Sequence, residues 1–170
     1  ILVALIIGIP AGIISAKKQY SVVDNVSMVL SLIGVSMPNF WFGLLVVIVF
    51  ALNLGWLPSQ GMGEGGVELL KSLVLPALTL GTGCAATITR MTRSSMLEVI
   101  HQDYIDTAKA KGVSERTITF RHMLKNALIP IVTAVGLQFG TLLGGAMLTE
   151  TVFSWPGLGR LMVDSIKSKD

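Results

Sequence analysis

Four apolar stretches, residues 1–16, 26–54, 69–89 and 127–148, alternate with polar connections along the chain. None shows the apolar–polar alternation of a β-barrel strand, and continuous runs of this length predict helices. The second stretch is longer than the hydrocarbon core of a bilayer, about 30 Å, requires at about 1.5 Å per residue, and Pro38 interrupts it. It reads either as one bent, tilted helix or as an interfacial turn feeding a span that starts near Pro38. Pro76 falls within the first turns of the third stretch. Ahead of Lys17 the first stretch is short of the roughly 20 residues a crossing needs, so its helix is expected to begin upstream, in a longer parent sequence.

The connections differ in kind. Residues 17–25 are short and basic. Residues 53–72 carry Gly55, Pro58, Gly61, Gly63, Gly65 and Gly66, the punctuation of a loop. Residues 90–126 are charged and helix-patterned. Formal charge is +1 over 17–25, −1 over 53–72 and +3 over 90–126, and residues 150–170 are neutral. Nine of the 13 basic side chains therefore lie in two connections separated by two crossings. The positive-inside rule places both in the cytoplasm and the Gly-rich loop outside. Trp41, Trp56 and Trp155 fall near span ends or in outside segments, where aromatic anchors belong.

Composition supports this pattern. Apolar residues make up 52% of 170 positions and charged residues 14%, against about 25% in a soluble domain. So small a domain cannot enclose that much apolar surface, so the rest faces lipid. The pI near 9.2 reflects orientation and does not indicate nucleic acid. The single cysteine, Cys84, excludes a disulfide framework and reads as a buried small hydrophobe.

The connection around residues 98–126 carries the most specific signal. Residues 103–111 are good helix formers with acidic residues early and Lys109 and Lys111 late, matching the helix dipole. Gly112 suits a left-handed ending. Ser114 can cap a second helix, with Glu115 in its first turn, Val113 placed for a hydrophobic staple, and Ile118, Leu124 and Leu128 on an apolar side. The expected result is a helix–Gly–helix elbow between two spans. A plain solvated linker is the simpler alternative, but two capped helices exceed what hairpin closure needs.

This segment resembles the Glu-Ala-Ala loop of ABC importer permeases, in which that triplet is followed by three residues and a Gly. Here Asp106, Thr107 and Ala108 precede Lys109, Ala110, Lys111 and Gly112. Asp106 and Thr107 depart from Glu and Ala, yet DYIDTAKAKG and RHMLKNALIP resemble the branch handling dipeptides, oligopeptides, nickel and glutathione. Further motifs of that branch occur at Ser36–Pro38–Phe40, Trp56–Leu57–Pro58–Gly61 and ETVFSWPGLG from Glu150 to Gly159. The resemblance covers essentially the whole chain and is closer to the "B" permease than to its "C" partner.

The resemblance implies an all-α, polytopic type I ABC importer transmembrane domain. It implies a partial permease over 1–170, with about four spans and a cytoplasmic coupling loop at about 98–126. The first helix, a large outside domain and the last helix would lie beyond it. Coupling to the ATPase falls on Asp103, Tyr104, Asp106, Thr107, Ala108, Lys111, Gly112 and Arg121. Phe153, Pro156, Gly157 and Gly159 form an outside turn near the binding protein. The implied partners are a homologous second permease, two cytoplasmic ABC ATPases and a periplasmic or lipid-anchored binding protein. Cargo would be peptide, with nickel or glutathione as alternatives, in a bacterial or archaeal plasma membrane. No cofactor is expected on this chain, and ATP-Mg would sit on the ATPases.

Within the spans, Gly136, Gly140 and Gly144 repeat every four residues, a spacing that lets helices approach or lines a pathway. Gly8 and Gly12 repeat it more weakly. Glu150 reads either as a substrate contact or as a structural hydrogen-bonding group. Arg90 and Arg93 read as phosphate snorkels or as anchors of the elbow. His101 and His122 lack a clustered Cys or Asp partner, which argues against a metal site. Nucleotide-loop, zincin and nucleophile-elbow motifs are absent, so no enzyme is expected. A secondary transporter or channel would predict intramembrane ionisable residues, which the spans essentially lack. A membrane scaffold is the third reading.

Overall fold

The computed structural model describes residues 1–143 and 146–168. Gly144, the third glycine of the repeat, lies outside the described residues. Among those described, the secondary structure is entirely helical, and the chain divides into two units.

The first unit comprises residues 1–35 and 84–138. It holds α1 (Leu2–Lys17), α2 (Val22–Ser36, up to Val35), the second half of α4 (Gly66–Ile100) and α5 (Asp103–Ala110). A continuous helix follows, beginning as α6 (Glu115–Thr117), passing through π-helical Ile118–Met123 and becoming α7 (Leu124–Leu143). Its core is apolar and draws on α1, α4, α5, the π-helical stretch and α7. Ile13 and Ala16 of α1 meet Met96 of α4, Ile105 and Ala108 of α5, Ile118 and Met123 of the π-helical stretch, and Ala127 and Ile131 of α7.

Close approach between α1 and α4 comes from two glycines. A Cβ on Gly8 would lie 2.9 Å from the Ala85 carbonyl oxygen, and one on Gly12 would lie 2.5 Å from Thr92 Cβ. Only hydrogen fits at either position, so the two backbones pack directly, the use membrane helices make of small residues. The hydroxyl of Thr89 is retired locally by donating to the Ala85 carbonyl at 2.8 Å, as a membrane-depth polar group must be.

The second unit comprises residues 36–83 and 139–170. It holds α3 (Asn39–Val46), which continues as π-helical Val47–Asn53, the first half of α4, and the helices α8 (Met147–Val152) and α9 (Leu158–Ser168). Val46, Leu75 and Phe153 form its core, with Phe42, Phe50, Leu57 and Trp155 packed around them. Gly43 is pressed between Phe153 and Thr79.

Three expectations about the spans are corrected. First, α4 and the continuous helix Glu115–Leu143 are the two described helices long and apolar enough to cross a membrane. The pair formed by α2 and Asn39–Asn53 makes a third only if its sharp break is counted within one span, and α1, at 16 residues, is apolar but shorter. Four spans are therefore not seen. The break falls where Pro38, lacking an N–H, starts α3 with an extended ψ of 130°. Second, the helix of the third apolar stretch does not stop where its apolar run does: α4 continues unbroken for 35 residues to Ile100, so the helix-patterned residues 90–100 belong to it and carry Arg90 and Arg93. Residues 84–100 contain neither Gly nor Pro, and Met, Leu, Arg and Glu sustain the helix. Third, the fourth stretch is not one helix to residue 148, because α7 stops at Leu143 and Met147 begins α8.

Candidate functional site

The elbow is built as its capping residues require. α5 runs Asp103–Ala110, and Gly112 follows it at φ +74°, the left-handed conformation that a side chain disfavours. Its N–H donates to the Lys109 carbonyl at 2.9 Å, while that of Val113 donates to Ala108. Ser114 then caps α6 by accepting from the Thr117 N–H, and Val113 packs against the cluster that contains Ile118.

The candidate coupling residues sort into two sets. Ile105 and Ala108 face inward, and Ala108 is buried in the core of the unit. Ala108 is the buried member of the candidate set and packs in the core on which the elbow stands. Asp103, Asp106, Thr107, Lys111, Gly112 and Arg121 are exposed. Tyr104 is exposed on one side, but its hydroxyl accepts from Asn126 Nδ2 at 2.9 Å, tying α5 to α7. Lys109 pairs with Asp106 at 3.2 Å on the surface. Beside these, Arg116, Thr117, Phe120 and Arg121 line a shallow depression, and the Phe120 ring is more than half exposed. An exposed aromatic ring flanked by two arginines has the make-up of an interface anchor.

Sequence reasoning missed the strongest polar contact of the first unit. Arg93 donates through Nε to Asp24 Oδ1 at 2.6 Å and through Nη2 to Oδ2 at 2.7 Å. Asp24 also accepts from the Ser15 hydroxyl and from the Tyr20 N–H at 2.9 Å. The Asp24 side chain is 2% accessible and that of Arg93 22%. Asp24 was counted as a loop charge and Arg93 as a snorkel or anchor. The fork of the guanidinium instead spends itself on one carboxylate. The available signal is the odd placement of an acid, Asp24, in a short basic connection.

In the second unit the Glu150 carboxylate is turned back on its own chain. Oε2 accepts from the Arg160 N–H at 2.9 Å, and the Glu150 carbonyl accepts from the Trp155 N–H at 2.8 Å. Gly157 lies under that carboxylate, since a Cβ there would meet it at 2.2 Å. Gly159 is similarly crowded by Met147, at 2.8 Å. Thus Glu150, Gly157 and Gly159 are one folded turn, with Pro156 exposed at its edge. Phe153 is buried beneath it, and its carbonyl accepts from the Gly61 N–H at 2.9 Å, fastening the Gly-rich loop. Phe153 thus supports the turn from beneath. Two clefts open nearby, one of about 380 Å³ lined by Pro38, Phe40, Leu80, Leu142 and Met147, the other of about 280 Å³ lined by Pro76, Ala77, Glu150 and Trp155. Both are mainly apolar.

Gly136 and Gly140 differ from Gly8 and Gly12 in their surroundings. Nothing lies within 4 Å of a Cβ built on Gly136 or Gly140. Among the described residues, a Cβ at either position would face open space. Among the described residues no group of three His, Cys, Asp or Glu side chains could hold a metal ion.

Residues 8–170 match the family described as binding-protein-dependent transport system inner membrane component. The chain belongs to this family. It is 48% identical, over 98% of its length and 57% of the relative's, to the dipeptide transport system permease protein DppB of Alkalihalophilus pseudofirmus. It is 46% identical, over 99% of its length and 55% of the relative's, to the oligopeptide transport system permease protein AppB of Bacillus subtilis. The glutathione transport system permease protein GsiC of Escherichia coli is 47% identical over 98% of this chain and 53% of the relative. The chain thus spans about half the length of the curated relatives it matches. As a member of the family it is a multi-pass component of the bacterial inner membrane.

Proposed function

We propose that this chain forms the transmembrane pathway of an ATP-driven importer, with di- or oligopeptides as cargo delivered by an extracytoplasmic binding protein. The observation that carries this reading is the elbow. A capped helix–Gly–helix segment stands on the same core as α1, α4 and α7, with a charged outer face free to receive a partner. In this reading two cytoplasmic ATPases seat against Asp103, Asp106, Thr107, Lys111 and Arg121. Their closure on ATP-Mg moves the spans between inward-open and outward-open states. A second permease completes the pathway, along which the open face of Gly136 and Gly140 would lie.

Peptide is the cargo of choice because relatives named for dipeptides and oligopeptides are 46–48% identical to this chain. Glutathione, itself a small peptide, is the second reading, favoured by the relative named for it. This chain contributes no catalytic group, and ATP hydrolysis belongs to the ATPases.

The test is Gly112→Pro. Proline fixes φ near −65°, whereas Gly112 sits at +74°. The variant is expected to insert normally, lose ATPase association and lose uptake. Uptake at the parental rate would contradict the coupling role.

A further inference from the structure

We propose that Asp24 and Arg93 are positioning residues of the transport cycle. Their ion pair would clamp α1, α2 and the charged end of α4, so that a push on the elbow moves them as one body. This rests on the importer reading above and names the contact through which the first unit would carry the elbow's movement.

The placement supports it. Ser15 lies on α1, Asp24 on α2 and Arg93 on α4, so one carboxylate gathers three helices. Tyr20, in the turn between α1 and α2, adopts φ +61°, a conformation uncommon outside glycine, and its N–H reaches Asp24 Oδ2. The Ser21 hydroxyl in turn accepts from the Asp24 N–H at 3.2 Å. Both carboxylate oxygens are thus occupied by protein donors, and the group is nearly free of solvent. It is a junction with no room for a ligand.

From Arg93, α4 continues only to Ile100, and His101 and Gln102 lead directly into α5. The apolar core that joins Ile13, Ala16 and Met96 to Ile105, Ala108, Ile118 and Met123 lies along this same stretch. Apolar contact is non-directional and lets helices slip or rotate against one another. A bidentate guanidinium–carboxylate pair does not, because two parallel hydrogen bonds set both register and rotation. Gly8 and Gly12 bring α1 and α4 together, and the ion pair fixes how they are turned. A buried pair of this kind is weak evidence for net stability, since desolvation offsets much of the attraction. A role in holding one discrete arrangement is the better use of it.

The experiment uses the complete importer, with the full permease pair, ATPases and binding protein, reconstituted in liposomes. Uptake of labelled dialanine and ATP hydrolysis are measured together, each per assembled complex. Asp24→Asn and Arg93→Gln are expected to lower dialanine moved per ATP by about tenfold, within the range of energetic coupling between sites, while hydrolysis continues. The double variant is expected to be no worse than either single one, because the two act as a unit. An unchanged ratio of uptake to hydrolysis, or losses that add in the double variant, would overturn the proposal. Should either variant fail to assemble, Arg93→Lys and Ser15→Ala are read instead. Each keeps the charges and removes part of the fork or its support, so a reduced ratio supports the clamp and a parental ratio overturns it. Failure of the parental complex to move dialanine at the expense of ATP would be a failure of the importer reading itself, distinguishable because no variant is then involved.

Discussion

Glycines at four-residue spacing occur twice in this chain, and they do opposite things. Gly8 and Gly12 are filled to contact by Ala85, Ile88, Thr89 and Thr92, whereas Gly136 and Gly140 face open space. Spacing alone revealed both pairs but not which is filled within this chain, because the partners of Gly8 and Gly12 lie far along the chain on another helix. Packing density therefore predicts unequal outcomes. Gly12→Val forces a branched side chain into Thr92 and is expected to destabilise by about 1–3 kcal/mol or more, the usual cost of overpacking. Gly136→Ala meets nothing and should be neutral to slightly stabilising, since alanine gains up to about 1 kcal/mol over glycine in a helix. Thermal unfolding of the purified variants in detergent checks both. The ion pair of Asp24 and Arg93 escaped the sequence for a related reason: 69 residues separate the partners. Each taken alone has an ordinary surface explanation.

At the level of elements, what could be read locally was read well. The left-handed Gly112, the Ser114 cap and the helix between Asp103 and the glycine all follow from neighbours within a few residues. Boundaries set by continuity were harder. Charge at Arg90 and Arg93 suggested a connection, yet helix propensity carries α4 on to Ile100, and at about 1.5 Å per residue the helix reaches well beyond an apolar slab of about 30 Å. The turn after α8 shows the converse, a motif whose meaning is purely local. Glu150, Gly157 and Gly159 appear at fixed offsets because the carboxylate needs a bare backbone to lie on and the Arg160 N–H to accept from. Gly157→Ala is expected to expel the Glu150 carboxylate and loosen this turn, increasing proteolytic cleavage between Phe153 and Arg160. Cleavage no faster than in the parent would show that the turn does not depend on this contact.

For the whole molecule, the all-helical membrane fold and the family were legible in the apolar runs and in motifs spread from Ser36 to Gly159. The number of spans was not: the sequence marked the break at Pro38 but left open whether the runs on either side of it make one crossing. The central claim is that the elbow is where an ATP-hydrolysing partner docks on the cytoplasmic side. Cross-linking tests it most directly. Lys111→Cys on the exposed end of the elbow and Glu64→Cys in the Gly-rich loop carry the same photo-reactive group in the assembled importer. The account predicts an adduct with the ATPase from position 111, altered in yield by ATP, and none from position 64. An ATPase adduct from position 64, or none from position 111 in a complex that hydrolyses ATP, would contradict it.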